Sequence, residues 1–263
     1  MGKKITLNTI RESKGNTPLC VITAYDALFA RLFADSADII LVGDSLNMSF
    51  AGKDDTLSTT LDQMIYHAQA VNQGAPDTFT ICDMPFGTYS DTKSAIKNSI
   101  RVYQETSCDA IKIEGGVEKA KIVQALTDEG IAVCGHIGLL PQSVRGDGGY
   151  RVRGKSEADV MKLVDDIGAI EEAGAFCAVI EGVKSEATVI VGESTKLPLI
   201  GIGAGNSVDA QVLVFSDLLG LYEPFVPKFV KKYADGASIT KDALKRFREE
   251  VQNRSFPSKE QCY

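Results

Sequence analysis

Eight short apolar runs, each separated from the next by a more polar stretch, constrain this chain more than any other feature of its sequence. They are LCVITAYD (19–26), DIILVGDS (38–45), FTICDMP (79–85), AIKIEG (110–115), AVCGHIG (132–138), CAVIEG (177–182), LPLIGIGAG (197–205) and AQVLVFSD (210–217). Their apolar residues are continuous where a half-exposed strand would alternate, as expected of strands buried on both faces in a parallel sheet. Parallel neighbours need crossovers. Residues 60–72, with Met64, Ala68 and Val71 on one face, and 156–173, with Val160, Leu163, Val164 and Ile167, have the helical period to supply them. Eight strand–helix units in 263 residues match the count and size of a (β/α)8 TIM barrel; a doubly wound open sheet is the competing α/β architecture. No linker or low-complexity tract divides the chain, so the expectation is one barrel domain over residues 1–263 with N-terminal and C-terminal helical extensions.

Charge and cysteine usage exclude several classes of partner. The net charge is −7 and the basic residues are dispersed, which is not the footprint of a nucleic-acid binder. No apolar segment reaches the ~18 residues of a membrane span. The opening MGKKIT fits the myristoylation pattern through Gly2 and Thr6, a six-residue match that nothing else in the sequence supports. Six cysteines (Cys20, Cys82, Cys108, Cys134, Cys177, Cys262) lie far apart with no CxxC pair. Five of them sit in or beside apolar runs, and they read as reduced core thiols of a cytoplasmic protein.

In such a barrel, chemistry sits at the carboxyl ends of the strands. Reading off those ends gives Asp44 and Ser45, Asp83, Lys112 and Glu114, His136, and Glu181. Two like charges about 4 Å apart repel by about 4 kcal/mol at an effective dielectric near 20. Asp44, Asp83 and Glu114 therefore either share protons or are neutralised by a cation. Oxygen-only ligands favour Mg²⁺ or a similar hard ion, with Asp44 and Asp83 as direct ligands and Glu114 binding directly or through water. Taken singly, GDS or CDM is more often a helix cap than a ligand; three carboxylates on one rim favour the metal.

Lys112 and Glu114 are two apart on a strand and so point to the same side. An inward lysine can form a Schiff base, stabilise an enolate or carboxylate, or pair with Glu114; beside a metal, substrate binding and charge stabilisation is the preferred role. Glu181, flanked by apolar residues, is the candidate general base, with a buried ion-pair partner as the plain alternative. His136 is read either as a core residue or as a hydrogen-bond donor to substrate, and His67, within a helical pattern, as structural. GIGAGN (201–206) lacks the last glycine of a dinucleotide fingerprint and fits a tight turn or a close approach to ligand after strand seven. RGDGGYRVRG (145–154) suits a mobile segment over the site or a solvated loop.

TAYDA, LVGDSL, KIEGG, CGHIGLLPQS, GGY and IGIGAGN, in this order and spacing, resemble the ketopantoate hydroxymethyltransferase family over about residues 4–230. The resemblance implies a TIM barrel that transfers a hydroxymethyl group from 5,10-methylenetetrahydrofolate to the small ketoacid 3-methyl-2-oxobutanoate in pantothenate synthesis, and assembles as a cytoplasmic homodecamer. It places Asp44, Asp83 and Glu114 at the Mg²⁺ site, Ser45 and Lys112 on the ketoacid, and Glu181 as the base. Two departures stand out. Asn47 replaces the usual glycine after DSL, an exchange that tolerance of left-handed backbone angles would accommodate, and EGVKS after Glu181 differs from the usual apolar, proline-bearing continuation. The end of the chain, ASITKDALKRFREEVQNRSFP, offers Thr240 as a cap and Leu244, Phe247 and Val251 on one helical face, which suits packing on its own barrel or on a neighbouring copy; the homodecamer that the resemblance implies favours the subunit contact. A carbon–carbon lyase or mutase of the phosphoenolpyruvate/isocitrate lyase type, or a non-catalytic metal-dependent scaffold, are the rival readings.

Overall fold

A computed structural model describes residues 4–223 and 225–263; Gly2, on which the myristoylation pattern turns, lies outside them. The chain runs α1 (Leu7–Glu12), β1 (Leu19–Thr23), α2 (Ala27–Phe33), β2 (Ile39–Val42), α3 (Leu46–Ser49), α4 (Leu61–Gly74), β3 (Phe79–Asp83), α5 (Thr92–Glu105) and β4 (Ala110–Glu114). It continues with α6 (Ala120–Asp128), β5 (Val133–Gly138), α7 (Glu157–Glu172), β6 (Cys177–Glu181), α8 (Ser185–Glu193), β7 (Leu199–Ile202), β8 (Ala210–Leu213), α9 (Phe215–Leu218) and α10 (Gly236–Gln252). The eight strands are parallel and close in sequence order, β8 pairing back onto β1. The expected TIM barrel is therefore the observed one.

Helix starts follow local chemistry. Thr60 and Gln63 form a reciprocal capping box before α4, and Ser156 caps α7 by accepting from the Asp159 N–H, each satisfying donors that the first helical turn leaves free. Met64, Ala68 and Val71 are fully buried on α4, and Leu163 and Ile167 on α7.

Inside the barrel, alternation sets which residues meet. Phe79 and Ile81, Ile39 and Leu41, and Cys177 and Val179 join one core cluster with Ala110, Cys134, Ile200 and Val212. Ile10 of α1 belongs to the same cluster, with Ile5 and Leu7 packed against it. The lower barrel is thus filled with apolar side chains, and chemistry is confined to its upper rim.

The described residues fall into two compact units: one, through Val214, holds the barrel, and the other is Phe215–Tyr263. In the second, α10 begins at Gly236, earlier than the expected cap, and Thr240 is an interior residue whose hydroxyl donates to the Gly236 carbonyl at 2.7 Å. A threonine can bond back into a helix as readily as cap it. Leu244, Phe247 and Val251 are exposed. Of the cysteines, Cys82, Cys108, Cys134 and Cys177 are buried and free, whereas Cys20 is exposed; it lies near the start of β1, where burial has not yet set in.

Candidate active site

The alternation that fills the core also builds the rim. Phe79, Ile81 and Asp83 share one side of β3, Ala110, Lys112 and Glu114 one side of β4, Cys134 and His136 one side of β5, and Cys177, Val179 and Glu181 one side of β6. Each column begins apolar and ends polar. Parallel register then sets Asp83 beside Lys112, Glu114 beside His136, and Glu181 beside Gly138. Asp44 and Ser45 follow β2, one residue past Gly43.

Asp44, Asp83 and Glu114 are all buried. The Asp44 N–H donates to Asp83 Oδ2 at 3.0 Å. Lys112 Nζ stands 3.1 Å from Asp83 Oδ1 and 3.9 Å from Glu114 Oε1. Neither of those two carboxylate oxygens receives a directed hydrogen bond, so the ammonium compensates them by charge alone. Burial, reinforced by the Asp83 charge, pushes Asp44 up to about 7, and burial raises Glu114 well above the usual carboxylate range, with Lys112 opposing. Burial alone would lower Lys112, but Asp83, Glu114 and Asp44 outweigh it and hold the ammonium above its ordinary value. Three acids against one buried cation leave the cluster short of positive charge.

That shortage is the test of whether a divalent ion fits. Among the described residues no three acidic, histidine or cysteine side chains enclose an ion by themselves. The donors present are carboxylate oxygens, two of them buried and unbonded. A hard ion that takes one or two protein carboxylates and completes its shell with water or substrate fits this set.

His136 continues the cluster. Its Nδ1 lies 3.1 Å from Lys112 Nζ, and its Nε2 lies 3.4 Å from Glu181 Oε2. Burial, with Lys112 adding, pushes the imidazole well below its ordinary value, so the ring is neutral. Burial pushes Glu181 up to about 7 against the opposing charge of Lys112. Its side chain is 21% exposed, against 2–4% for Asp83, Lys112, Glu114 and His136.

Ser45, next to Asp44, is half-buried, its hydroxyl 2.8 Å from the Tyr25 hydroxyl. The seven rim residues read from the sequence therefore converge on one site. His67 does not join them: its Nδ1 donates to the Tyr25 carbonyl at 2.6 Å, tying α4 to the loop after β1.

Gln142 escaped the sequence reading although it bonds to two of the site's carboxylates. Its Nε2 donates to Asp44 Oδ2 at 2.9 Å and to the Met84 carbonyl at 3.0 Å. Its backbone N–H donates to Glu114 Oε2 at 2.9 Å, and its Oε1 accepts from the Tyr89 hydroxyl at 2.5 Å. The only signal in sequence was its place in LLPQS.

The glycine-rich loop is stitched down. Arg145 pairs with Asp55 at 3.0 Å, the Tyr150 hydroxyl meets Met48 Sδ at 3.5 Å, and the Arg153 N–H donates to the Gly182 carbonyl at 2.8 Å. It spans the rim from the β2 side to the β6 side. Asn47 lies in α3, and among the described residues only Arg254 is a non-glycine with positive φ. The left-handed angle expected of Asn47 is therefore not used; its side chain instead donates to the Asp55 carbonyl at 2.7 Å and to Ser58 Oγ at 3.0 Å. After β7, Gly203 and Gly205 take positive φ, and the chain bends there on its way to β8.

The family model described as ketopantoate hydroxymethyltransferase matches residues 4–259. The 3-methyl-2-oxobutanoate hydroxymethyltransferase of Sulfurimonas denitrificans is 63% identical over 257 residues, covering 98% of this chain and 98% of that protein. The protein of the same name from a Nitratiruptor species is 56% identical over 263 residues, covering 100% of both. Among solved structures, phosphonopyruvate hydrolase in complex with oxalate and Mg²⁺ aligns with a TM-score of 0.63 at 14% identity, over 98% of this chain and 93% of that one. For 2,3-dimethylmalate lyase the TM-score is 0.62 at 17% identity, over 100% and 92%. At such identities the likeness to solved structures shows the fold alone.

Proposed function

The chain belongs to the ketopantoate hydroxymethyltransferase family, and from that premise we propose that it transfers a hydroxymethyl group from 5,10-methylenetetrahydrofolate to 3-methyl-2-oxobutanoate, forming ketopantoate. The observation that carries the mechanism is the run of contacts from Asp83 through Lys112 and His136 to Glu181. It sets a cationic pole and a half-open carboxylate on either side of one neutral imidazole.

Asp44 and Asp83 would hold Mg²⁺, with Glu114 completing the set directly or through water. The ion, when bound, polarises the ketoacid carbonyl and makes the adjoining C3 proton more acidic. Ser45 and Lys112 orient the ketoacid, and the Lys112 ammonium offsets the negative charge that develops on its oxygens. Glu181 Oε2 takes the C3 proton; a carboxylate raised to about 7 is a stronger base than an exposed one and is still about half ionised at neutral pH. His136 presents its Nε2 to Glu181 Oε2 at 3.4 Å without a directed hydrogen bond, and stands as the neutral neighbour of that carboxylate. The carbanionic C3 then bonds to the methylene carbon of the folate donor, water supplies the hydroxyl group, and tetrahydrofolate leaves.

The same reading extends to the setting of the enzyme. Four buried free thiols suit a reducing cytoplasm, and the exposed Leu244, Phe247 and Val251 of α10 serve as a contact between copies in a homodecamer. No observation favours the lyase or mutase reading.

The test is proton NMR of 3-methyl-2-oxobutanoate in D₂O with the purified protein, with Mg²⁺ or EDTA, and with or without tetrahydrofolate. Enzyme- and Mg²⁺-dependent loss of the C3 proton signal is the expected result. Absence of exchange in every mixture would overturn the proposed half-reaction.

A further inference from the structure

Two clefts in the barrel unit are candidates for the folate donor. The larger, about 490 Å³, is lined by Leu57, Ser58, Phe86, Gln142, Ser143 and Arg145, with Gly146 at its edge. The smaller, about 260 Å³, carries Glu118, Asp147, Asp159 and Asp166 on its walls against Arg153 and Lys162. Pockets for molecules of this size run from about 300 to 1,000 Å³, so the smaller cleft is too tight. Its excess of carboxylates would also repel an anion.

We propose, resting on the function above, that the larger cleft binds the reduced folate, with its flat bicyclic ring against Phe86 and its glutamate carboxylates beside Arg145. Three observations carry this. Gln142 lines the cleft and also donates to Asp44 and Glu114, so one residue is shared between the cleft wall and the carboxylate cluster where the ketoacid is held. Phe86 follows Asp83 by three residues on the loop after β3 and is 54% exposed, a bare aromatic face next to the reacting centre and suited to stacking a planar heterocycle. The Arg145 side chain is 78% exposed and spends one guanidinium nitrogen on Asp55; the remaining donors of its fork are available to a carboxylate.

The wall itself is anchored for this use. Asn47, buried in α3, bonds the Asp55 carbonyl and the Ser58 hydroxyl, and so fixes both the partner of Arg145 and a lining residue of the cleft.

The experiment is steady-state kinetics and C3 proton exchange on Phe86→Ala and Arg145→Gln, with 5,10-methylenetetrahydrofolate and with the corresponding tetrahydropteroate, which lacks the glutamate. Loss of an aromatic stacking partner predicts a KM for folate raised about ten- to hundredfold in Phe86→Ala, with folate-free exchange of the ketoacid retained. Arg145→Gln is expected to lose the parent's preference for folate over pteroate. An unchanged folate KM in Phe86→Ala, or loss of folate-free exchange in that variant, overturns the assignment. So does an unchanged preference in Arg145→Gln. Failure of exchange in the parent protein sinks the proposed function instead, so the two failures are distinguishable.

Discussion

Lys112 Nζ lies 3.1 Å from His136 Nδ1, and because an ammonium has only protons to give, that ring nitrogen must accept. The single proton of the neutral imidazole is then on Nε2, the nitrogen that faces Glu181 Oε2 at 3.4 Å. One buried lysine thus sets the tautomer of a histidine, and places that histidine's single N–H on the side of a carboxylate that it approaches without a directed hydrogen bond.

His136→Ala removes that neighbouring N–H. Exchange of the C3 proton is expected to slow by about ten- to hundredfold, as when an orienting partner of a reactive group is lost, while calorimetric affinity for the ketoacid changes little. Unchanged exchange would count against His136 as a positioning residue.

The Glu181 carboxyl is raised to about 7 by burial, and only its ionised form can accept a proton. Exchange in D₂O should therefore rise with pH up to about 7 and level off above it. Glu181→Gln should bind ketoacid and Mg²⁺ yet lose exchange by a factor of about 10² to 10⁴. A profile flat from pH 5 to 9 in the parent would remove Glu181 from the role of base.

Gln142 holds Asp44 through its side chain and Glu114 through its backbone. Gln142→Ala keeps the second bond and loses the first, together with the acceptor of the Tyr89 hydroxyl. Mg²⁺ affinity, measured by calorimetry without substrate, is expected to fall by about ten- to hundredfold. Equal affinity in parent and variant would show that the amide has no part in presenting Asp44.

Asp44 is raised from 3.8 to about 7 in the fold. The folded state therefore holds a proton that the unfolded chain releases earlier. The stability this lends is present at low pH and is lost as pH rises from about 4 to about 7. Asp44→Asn carries no such charge. In EDTA its Tm should exceed the parent's by a margin that widens over that window, and Mg²⁺ should narrow the margin by stabilising the parent alone. A margin independent of pH would show that Asp44 ionises in the fold as freely as in the unfolded chain.

Much of this site was legible in the sequence because the barrel repeats one rule. An apolar run that ends in a charge is a strand whose top is at the rim, and Asp83, Glu114 and Glu181 each obeyed it. Gln142 was not legible, since a neutral amide between strand and helix carries no charge pattern, and its partner Asp44 is 98 residues away. Asn47 was read through its backbone although its side chain makes the difference, and Thr240 as a cap although the helix had already begun. Such errors have one origin: a polar residue's role depends on which partner tertiary structure brings within 3 Å.

The register of β4 carries a further meaning. Ala110, Lys112 and Glu114 face inward only while Asp83 pairs with Lys112 and Glu114 with His136. A slip of one residue would turn Lys112 and Glu114 toward the helices and present Ile111 and Ile113 to the reaction centre. A mispaired barrel would therefore be inert and not a source of altered chemistry. Selection for turnover alone is then enough to police the fold.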